Sequence, residues 1–202
     1  MNKSKFPKAE PKYFHDYSKE LSVKFFIKLP YGFVKVADCY LNTKENFSGR
    51  AQYIESRTKF LVLVDAKPYN NELWKMGGEH IYLLVIDDNV VKIGSTTTSM
   101  KGRWGSYKCG TRKYMGKGSP STTNYHIQES LYASLLEKQK VEIYSIRMPE
   151  LYKSLDVYGT KQQVPCSVSK AYEHTLLDIY KAHTGHYPIL SVNNGSKGVK
   201  HD

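Results

Sequence analysis

Residues 80–107, HIYLLVIDDNVVKIGSTTTSMKGRWGSY, carry the stretch that decides the fold. Ile81 to Asp87 is an apolar run, Asp88-Asn89 is a turn signal, and Val90 to Gly94 is apolar again. Two runs rich in β-branched residues across a short polar break predict a tight antiparallel hairpin. Ser95 to Ser99 then offers N-cap candidates for a helix that runs to about Lys108. On that helix Arg103 and Tyr107 stand four apart, on one face.

Downstream, residues 108–124 are rich in Lys, Arg, Gly and Ser and read as a flexible basic loop. Asn124 is the expected cap of a helix that puts Ile127, Leu131 and Leu135 on one face. Val141 to Met148 alternates as a third strand, and residues 149–166 read as a second loop. Ser167 or Ser169 is expected to cap a last helix containing Tyr172, Leu176, Leu177 and Tyr180, closed by Gly185 at C′. The tail after Asn193 is Gly-, Ser- and Lys-rich and expected to fray. Upstream, residues 1–17 read as a loose basic arm, and Val23 to Leu41 as a hairpin around Pro30-Tyr31-Gly32. Residues 42–57 match no template, and Lys59 to Ala66 reads as a buried strand.

This organisation predicts an α+β class with a three-stranded antiparallel sheet flanked by helices and a β-rich N-terminal extension. The expected division is 1–75 for the arm and extension, 76–193 for the sheet-and-helix layer and 194–202 for the tail.

Of 202 residues, 40% are hydrophobic and 24% charged, which excludes a disordered polyelectrolyte. Thirty Lys and Arg against 19 Asp and Glu give a net charge of +11, and the pI is about 9.4. Such a surplus on a small protein favours a polyanionic partner. No apolar run approaches the roughly 18–20 residues that span a bilayer, so nucleic acid is favoured over a membrane. Cys39, Cys109 and Cys166 are few, odd in number and far apart, which predicts a reducing, cytoplasmic setting. His183 and His186 lack further ligands at zinc spacing and read as a solvated pair.

The order of motifs from His80-Ile81-Tyr82 through Lys92-Ile93-Gly94 and Arg103 to Glu173 resembles the GIY-YIG nuclease domain. The resemblance spans about residues 78–193, and Gly185 to Asn193 is similar to that family's closing segment, with Asn193 as its asparagine. His80 stands where the family has its first glycine. Lys92 replaces the second tyrosine, and with Tyr107 beyond Arg103 this looks like the restriction-endonuclease branch. The resemblance implies a Mg²⁺-dependent endonuclease of double-stranded DNA, a type II restriction enzyme, with catalytic residues Tyr82, Lys92, Arg103, Tyr107 and Glu173. It also implies one divalent ion per site, held by Glu173. A palindromic target would call for a homodimer.

The residue chemistry can be read independently. A free phenol has a pKa near ~10 and needs a neighbouring cation to act as a base at neutral pH. Tyr82 and Lys92, on paired strands, are expected to face each other and meet that need. Arg103 and Tyr107 would grip one phosphate. Glu173 suits a hard cation that keeps several waters. Gly94 is expected to let the DNA backbone approach, and Lys108, Arg112, Lys113 and Lys117 to contact phosphates without reading bases.

Bland readings stand beside each of these. Tyr82 is one of 17 tyrosines, and a lone strand tyrosine is usually packing. Glu173 could simply pair with Lys170. Asp65-Ala66-Lys67 is half of a rival PD-(D/E)xK pattern, whose upstream acid would be Glu45 or Glu55. The functional alternatives are a phage or mobile-element nuclease of looser specificity, and a basic DNA-binding protein without catalysis.

Overall fold

The computed structural model describes residues 8–30, 32–41, 62–108 and 122–191. After a 3₁₀ turn at Pro11–Tyr13 come α1 (Val23–Ile27), β1 (Val34–Leu41), β2 (Val62–Asp65), α2 (Asn71–Lys75), β3 (His80–Ile86) and β4 (Asn89–Thr96). There follow α3 (Met100–Lys108), α4 (Thr122–Leu136), β5 (Val141–Arg147), β6 (Leu151–Val157), β7 (Thr160–Cys166) and α5 (Ser169–Thr184).

The α+β class is as expected, but the main sheet has five strands, ordered β2-β1-β5-β3-β4 and antiparallel at every pairing. The two N-terminal strands join the main sheet because β1 pairs with β5, Val34 opposite Ser145 and Cys39 opposite Val141. Every residue of β3 is buried. Tyr82, Leu84 and Ile86 pack on one side with Trp104, Ile127 and Leu131 from α3 and α4. Ile81, Leu83 and Val85 pack on the other with Phe26 from α1 and Leu176 and Tyr180 from α5. A strand covered on both faces has no polar side, which is why His80–Ile86 reads as a continuous apolar run rather than an alternating one.

Asp87 and Asp88, at φ of 47 and 67°, form the hairpin turn one residue earlier than the expected Asp88-Asn89. Two positive φ values in a two-residue loop match the twist of the strands it joins. Beyond it the ladder slips: Ile86 faces Asn89 and Val85 faces Val90, but Leu84 faces Lys92 and Tyr82 faces Gly94. Val91 is thus an extra residue, a β-bulge. Without it Lys92 would oppose Leu83 and point into the α5 core.

Several expectations are corrected. Val23–Ile27 is a helix capped by Ser22, whose hydroxyl accepts the Lys24 N–H, so Val23 to Leu41 is not a hairpin. The end of the basic arm is packed: Tyr13 and Tyr17 are 2% and 4% exposed, and Tyr13 meets Tyr125 edge-on at 6.0 Å. Asn124 lies inside α4 and donates to the Ser106 carbonyl at 3.1 Å instead of capping. Residues 149–166 hold the β6–β7 hairpin rather than a loop. Neither Ser167 nor Ser169 caps α5; the Glu79 carboxylate accepts the Val168 and Ser169 N–H groups at 2.7 and 2.9 Å. Expected features that hold include the Ser99 cap of α3, accepting from Gly102 at 3.0 Å, and Gly185 closing α5 at φ 81°. Among the described residues no helix is long and apolar enough to cross a membrane.

Burial separates the two hairpins energetically. Leu84→Ala, at a site with no exposure, should cost about 2–5 kcal/mol by urea unfolding. Leu155→Ala, on the exposed β6, should change stability by no more than about 0.5 kcal/mol. Equal effects would contradict the assignment of the core.

Candidate active site

Four elements, β3, β4, α3 and α5, bring the site together. β3 contributes Tyr82, with no exposure, and α3 contributes Arg103 and Tyr107. The Tyr82 and Tyr107 hydroxyls share a hydrogen bond, and Arg103 bonds both, its Nε donating to Tyr82 at 3.1 Å and its Nη2 to Tyr107 at 3.3 Å. The guanidinium lies 4.5 Å from the Tyr107 ring centre. The i,i+4 spacing read from the sequence therefore meets the strand tyrosine, as expected.

The two phenols are not equivalent. Burial raises the pKa of both. At Tyr82 the Arg103 charge and the Tyr107 hydrogen bond oppose that rise. At Tyr107 the neighbouring Tyr82 adds to the effect of burial, and its pKa is pushed well above the ordinary value. An ionised Tyr82 would accept from both the Tyr107 hydroxyl and the Arg103 Nε–H.

The bulge at Val91 builds the other half. Tyr82 faces Gly94 directly, while Lys92 faces Leu84, so the expected Tyr82–Lys92 pairing is replaced by a diagonal relation on the same face. Gly94 has a packing role that the sequence did not show. A Cβ there would overlap the Tyr82 hydroxyl and its ring carbon, so glycine makes room for the phenol. Lys92 is 7% exposed and donates to the Leu190 carbonyl at 3.2 Å. Burial, helped by the charges of Arg103 and Lys170 and opposed by Glu173, lowers its pKa to about 8. The charge next to the Tyr82 phenol is that of Arg103, not of Lys92.

Glu173, on α5, is 5% exposed. Its Oε2 accepts from the Ser95 hydroxyl and pairs with Lys170 Nζ at 2.9 Å. Ser95 follows Gly94 on β4, so the carboxylate is pinned beside the tyrosine-facing glycine. The Lys170 pair is the bland reading of Glu173, and it is present, yet the same carboxylate also reaches β4. All five expected catalytic residues converge. Ser95 and Lys170 join them, along with Glu79, which fixes the start of α5. Burial alone would raise the Glu79 pKa, but its bonds to Ser167, Val168 and Ser169 hold it below the ordinary carboxylate range.

Sequence reasoning missed Ser95 and Glu79 because their partners lie 78 and 89–90 residues away. The closing segment pairs with the bulge: Leu190 N–H donates to the Val91 carbonyl at 2.8 Å, and Ser191 Oγ bonds the Ile93 backbone. His80 is fully buried; its Nε2 donates to the Met76 carbonyl at 3.0 Å, and burial lowers its pKa, so it serves packing here. Lys108 ends α3, while Arg112, Lys113, Lys117 and Asn193 lie outside the described residues, as do Glu45 and Glu55. Among the described residues no group of three or more His, Cys, Asp or Glu could hold a metal by itself.

Lys92, Arg103 and Lys170 against the one carboxylate of Glu173 leave the cluster a formal surplus of two positive charges. The cost of burying Lys92 has a measurable consequence. A lysine whose folded pKa lies below its unfolded value stabilises the fold fully only above about 10.5, and that contribution is lost as pH falls toward 8. Lys92→Met should therefore raise stability at pH 7 by up to about 3 kcal/mol. The gain should shrink by about 2 kcal/mol at pH 9.5, measured by urea unfolding of both proteins. A gain independent of pH would contradict the burial of a charged amine.

No protein-family model and no curated protein matches the chain. Among solved structures it is similar to restriction endonuclease HPY188I in complex with product DNA, at 21% identity and a TM-score of 0.56, over 98% of this chain and 98% of that one. It is also similar to a mutant of bacteriophage T4 EndoII, at 17% identity and a TM-score of 0.50, over 80% of this chain and 96% of that one. The chain shares its α+β fold with both.

Proposed function

We propose that this protein is a site-specific endonuclease that hydrolyses phosphodiester bonds of double-stranded DNA, a type II restriction enzyme of the GIY-YIG kind acting as a homodimer. The observation that carries this reading is the gathering of two hydrogen-bonded phenols, Arg103, Lys92 and Glu173 into one cationic cluster. Support also comes from the fold shared with a restriction endonuclease over the whole chain, and from the net charge of +11.

The donor set fits one divalent ion. A single buried carboxylate with a hydroxyl at its side suits Mg²⁺, which takes one or two carboxylates and fills its remaining positions with water and phosphate. Glu173 would hold it, and Lys170 would give up the shared oxygen. When bound, such an ion supplies positive charge to the departing 3′-oxygen.

The chain's own residues do the rest. The Tyr82 phenolate, held by the Arg103 Nε–H and the Tyr107 O–H, takes a proton from a water, and the hydroxide attacks phosphorus as the bond to the 3′-oxygen breaks. Two of the five guanidinium donors are used on the phenols, leaving the planar fork to approach the non-bridging oxygens. Lys92 adds charge against the same oxygens from a dry position, where each interaction is stronger than in water.

Incubated with genomic DNA and Mg²⁺, the protein should give discrete fragments with a common end sequence. Sparse nicks would favour the looser phage-type nuclease, and intact DNA a binding protein without catalysis. Tyr82→Phe should slow cutting about 10²–10⁴-fold, the usual worth of a positioned base. Glu173→Gln should abolish cutting while duplex binding persists; unimpaired cutting by Glu173→Gln would remove that residue from the site.

A further inference from the structure

The β6–β7 ribbon takes no part in the site as described, yet it is rooted there. Met148 N–H donates to the Glu79 carbonyl at 2.8 Å as the chain leaves β5, and the Glu79 carboxylate receives the Val168 and Ser169 N–H groups as it returns. Both ends of the ribbon are therefore clamped on one residue, three positions before Tyr82, and Glu173 follows Ser169 by one helical turn. A cleft of about 450 Å³ lies between the root and the end of β4, lined by Thr97, Met148, Pro149, Tyr152 and Pro165.

Beyond the root, neither face of the ribbon is covered. All of β6 but Val157 is exposed, Thr160 to Gln163 are exposed, and Tyr158 at the tip is fully so. A two-stranded hairpin in water is marginal alone. This one has a stiff turn, with Tyr158 and Gly159 at φ of 51 and 81° and the Asp156 carboxylate accepting the Gly159 N–H at 2.7 Å. Three of the seven residues of β6 and four of the seven of β7 are Lys, Asp, Ser, Thr or Gln. Lys153 and Gln162 share one face, Lys161 and Gln163 the other. Lys153 and Lys161 outnumber the Asp156 carboxylate on these strands, and with Gln162 and Gln163 they suit a polyanion with hydrogen-bonding edges better than a second copy of the chain, whose interface core would be depleted of charge.

We propose that the β6–β7 ribbon enters the major groove of duplex DNA beside the scissile phosphate and reads base edges with Lys153, Lys161, Gln162 and Gln163. This deepens the nuclease reading and rests on it. Seven residues at about 3.3 Å each span roughly 23 Å, and a major groove about 12 Å wide and 8.5 Å deep admits a two-stranded ribbon. Glutamine suits adenine and lysine suits guanine by their donor and acceptor patterns. Exposed Leu155 can meet a thymine methyl group.

The test compares the intact protein with a Lys153→Ala, Lys161→Ala, Gln162→Ala, Gln163→Ala variant on two duplexes, the preferred site and the same site with one base pair changed. These side chains are exposed, and an unchanged melting curve checks the fold. The ratio of cutting rates on the two duplexes should fall at least tenfold in the variant. The salt dependence of duplex binding should flatten by one to two charges. A variant that keeps both ratio and salt slope overturns the proposal, as does one that only loses self-association in sedimentation. If the intact protein binds duplex without cutting and the variant loses the salt slope, the ribbon stands and the hydrolytic reading falls. If the intact protein neither binds nor cuts, both fall.

Discussion

The site depends on one extra residue in one strand. Val91 shifts the β3–β4 ladder by a single position, and because strand side chains alternate, that shift exchanges the faces of everything beyond it. Lys92 moves from the α5 core to the face of Tyr82, and Gly94 comes to lie under the Tyr82 phenol. The carbonyl of Val91 is taken by Leu190, so the closing segment holds the bulge in place, and the Leu190 carbonyl in turn receives the Lys92 ammonium. A regular hairpin with the same sequence would bury a lysine among Leu83, Leu176 and Tyr180 without a carbonyl to receive it.

The cluster runs against stability in favour of charge. Lys92 is almost wholly buried, its pKa lowered to about 8, and Tyr82 and Tyr107 share a hydrogen bond away from water. Arg103 is the group that makes this tolerable, bonding both hydroxyls and covering one ring. On the proposed reading these charges stand ready for negative charge that develops on a phosphate, the form of electrostatic catalysis that needs least reorganisation. The α5 carboxylate completes it because Ser95 and Glu79 fix it from the sheet side.

What could be read from the sequence was what is local. The β3–β4 hairpin, the Ser99 cap and the four-residue step from Arg103 to Tyr107 all follow from neighbours within a few positions. The slip at Val91 could not be read, since a bulge leaves no mark in a run of valines. Val23–Ile27 reads as a strand because its four apolar residues around Lys24 fit either period, and the Ser22 cap decides for helix. The β6–β7 ribbon was read as a loop because no buried face forces its residues to alternate; the Tyr158-Gly159 turn was the available signal. The β1–β5 pairing, the Glu79 cap and the Ser95 contact join residues from 78 to 111 positions apart, and nothing in local pattern reports them.

The most direct measurement is made on Gly94→Ala, with DNA cleavage and urea unfolding recorded on the same preparation. A methyl group opposite Tyr82 has no space in this register, so cutting should fall at least a hundredfold and stability by about 1–3 kcal/mol. A variant that cuts and unfolds like the parent would mean that Tyr82 does not lie over Gly94, and the bulged register would be wrong.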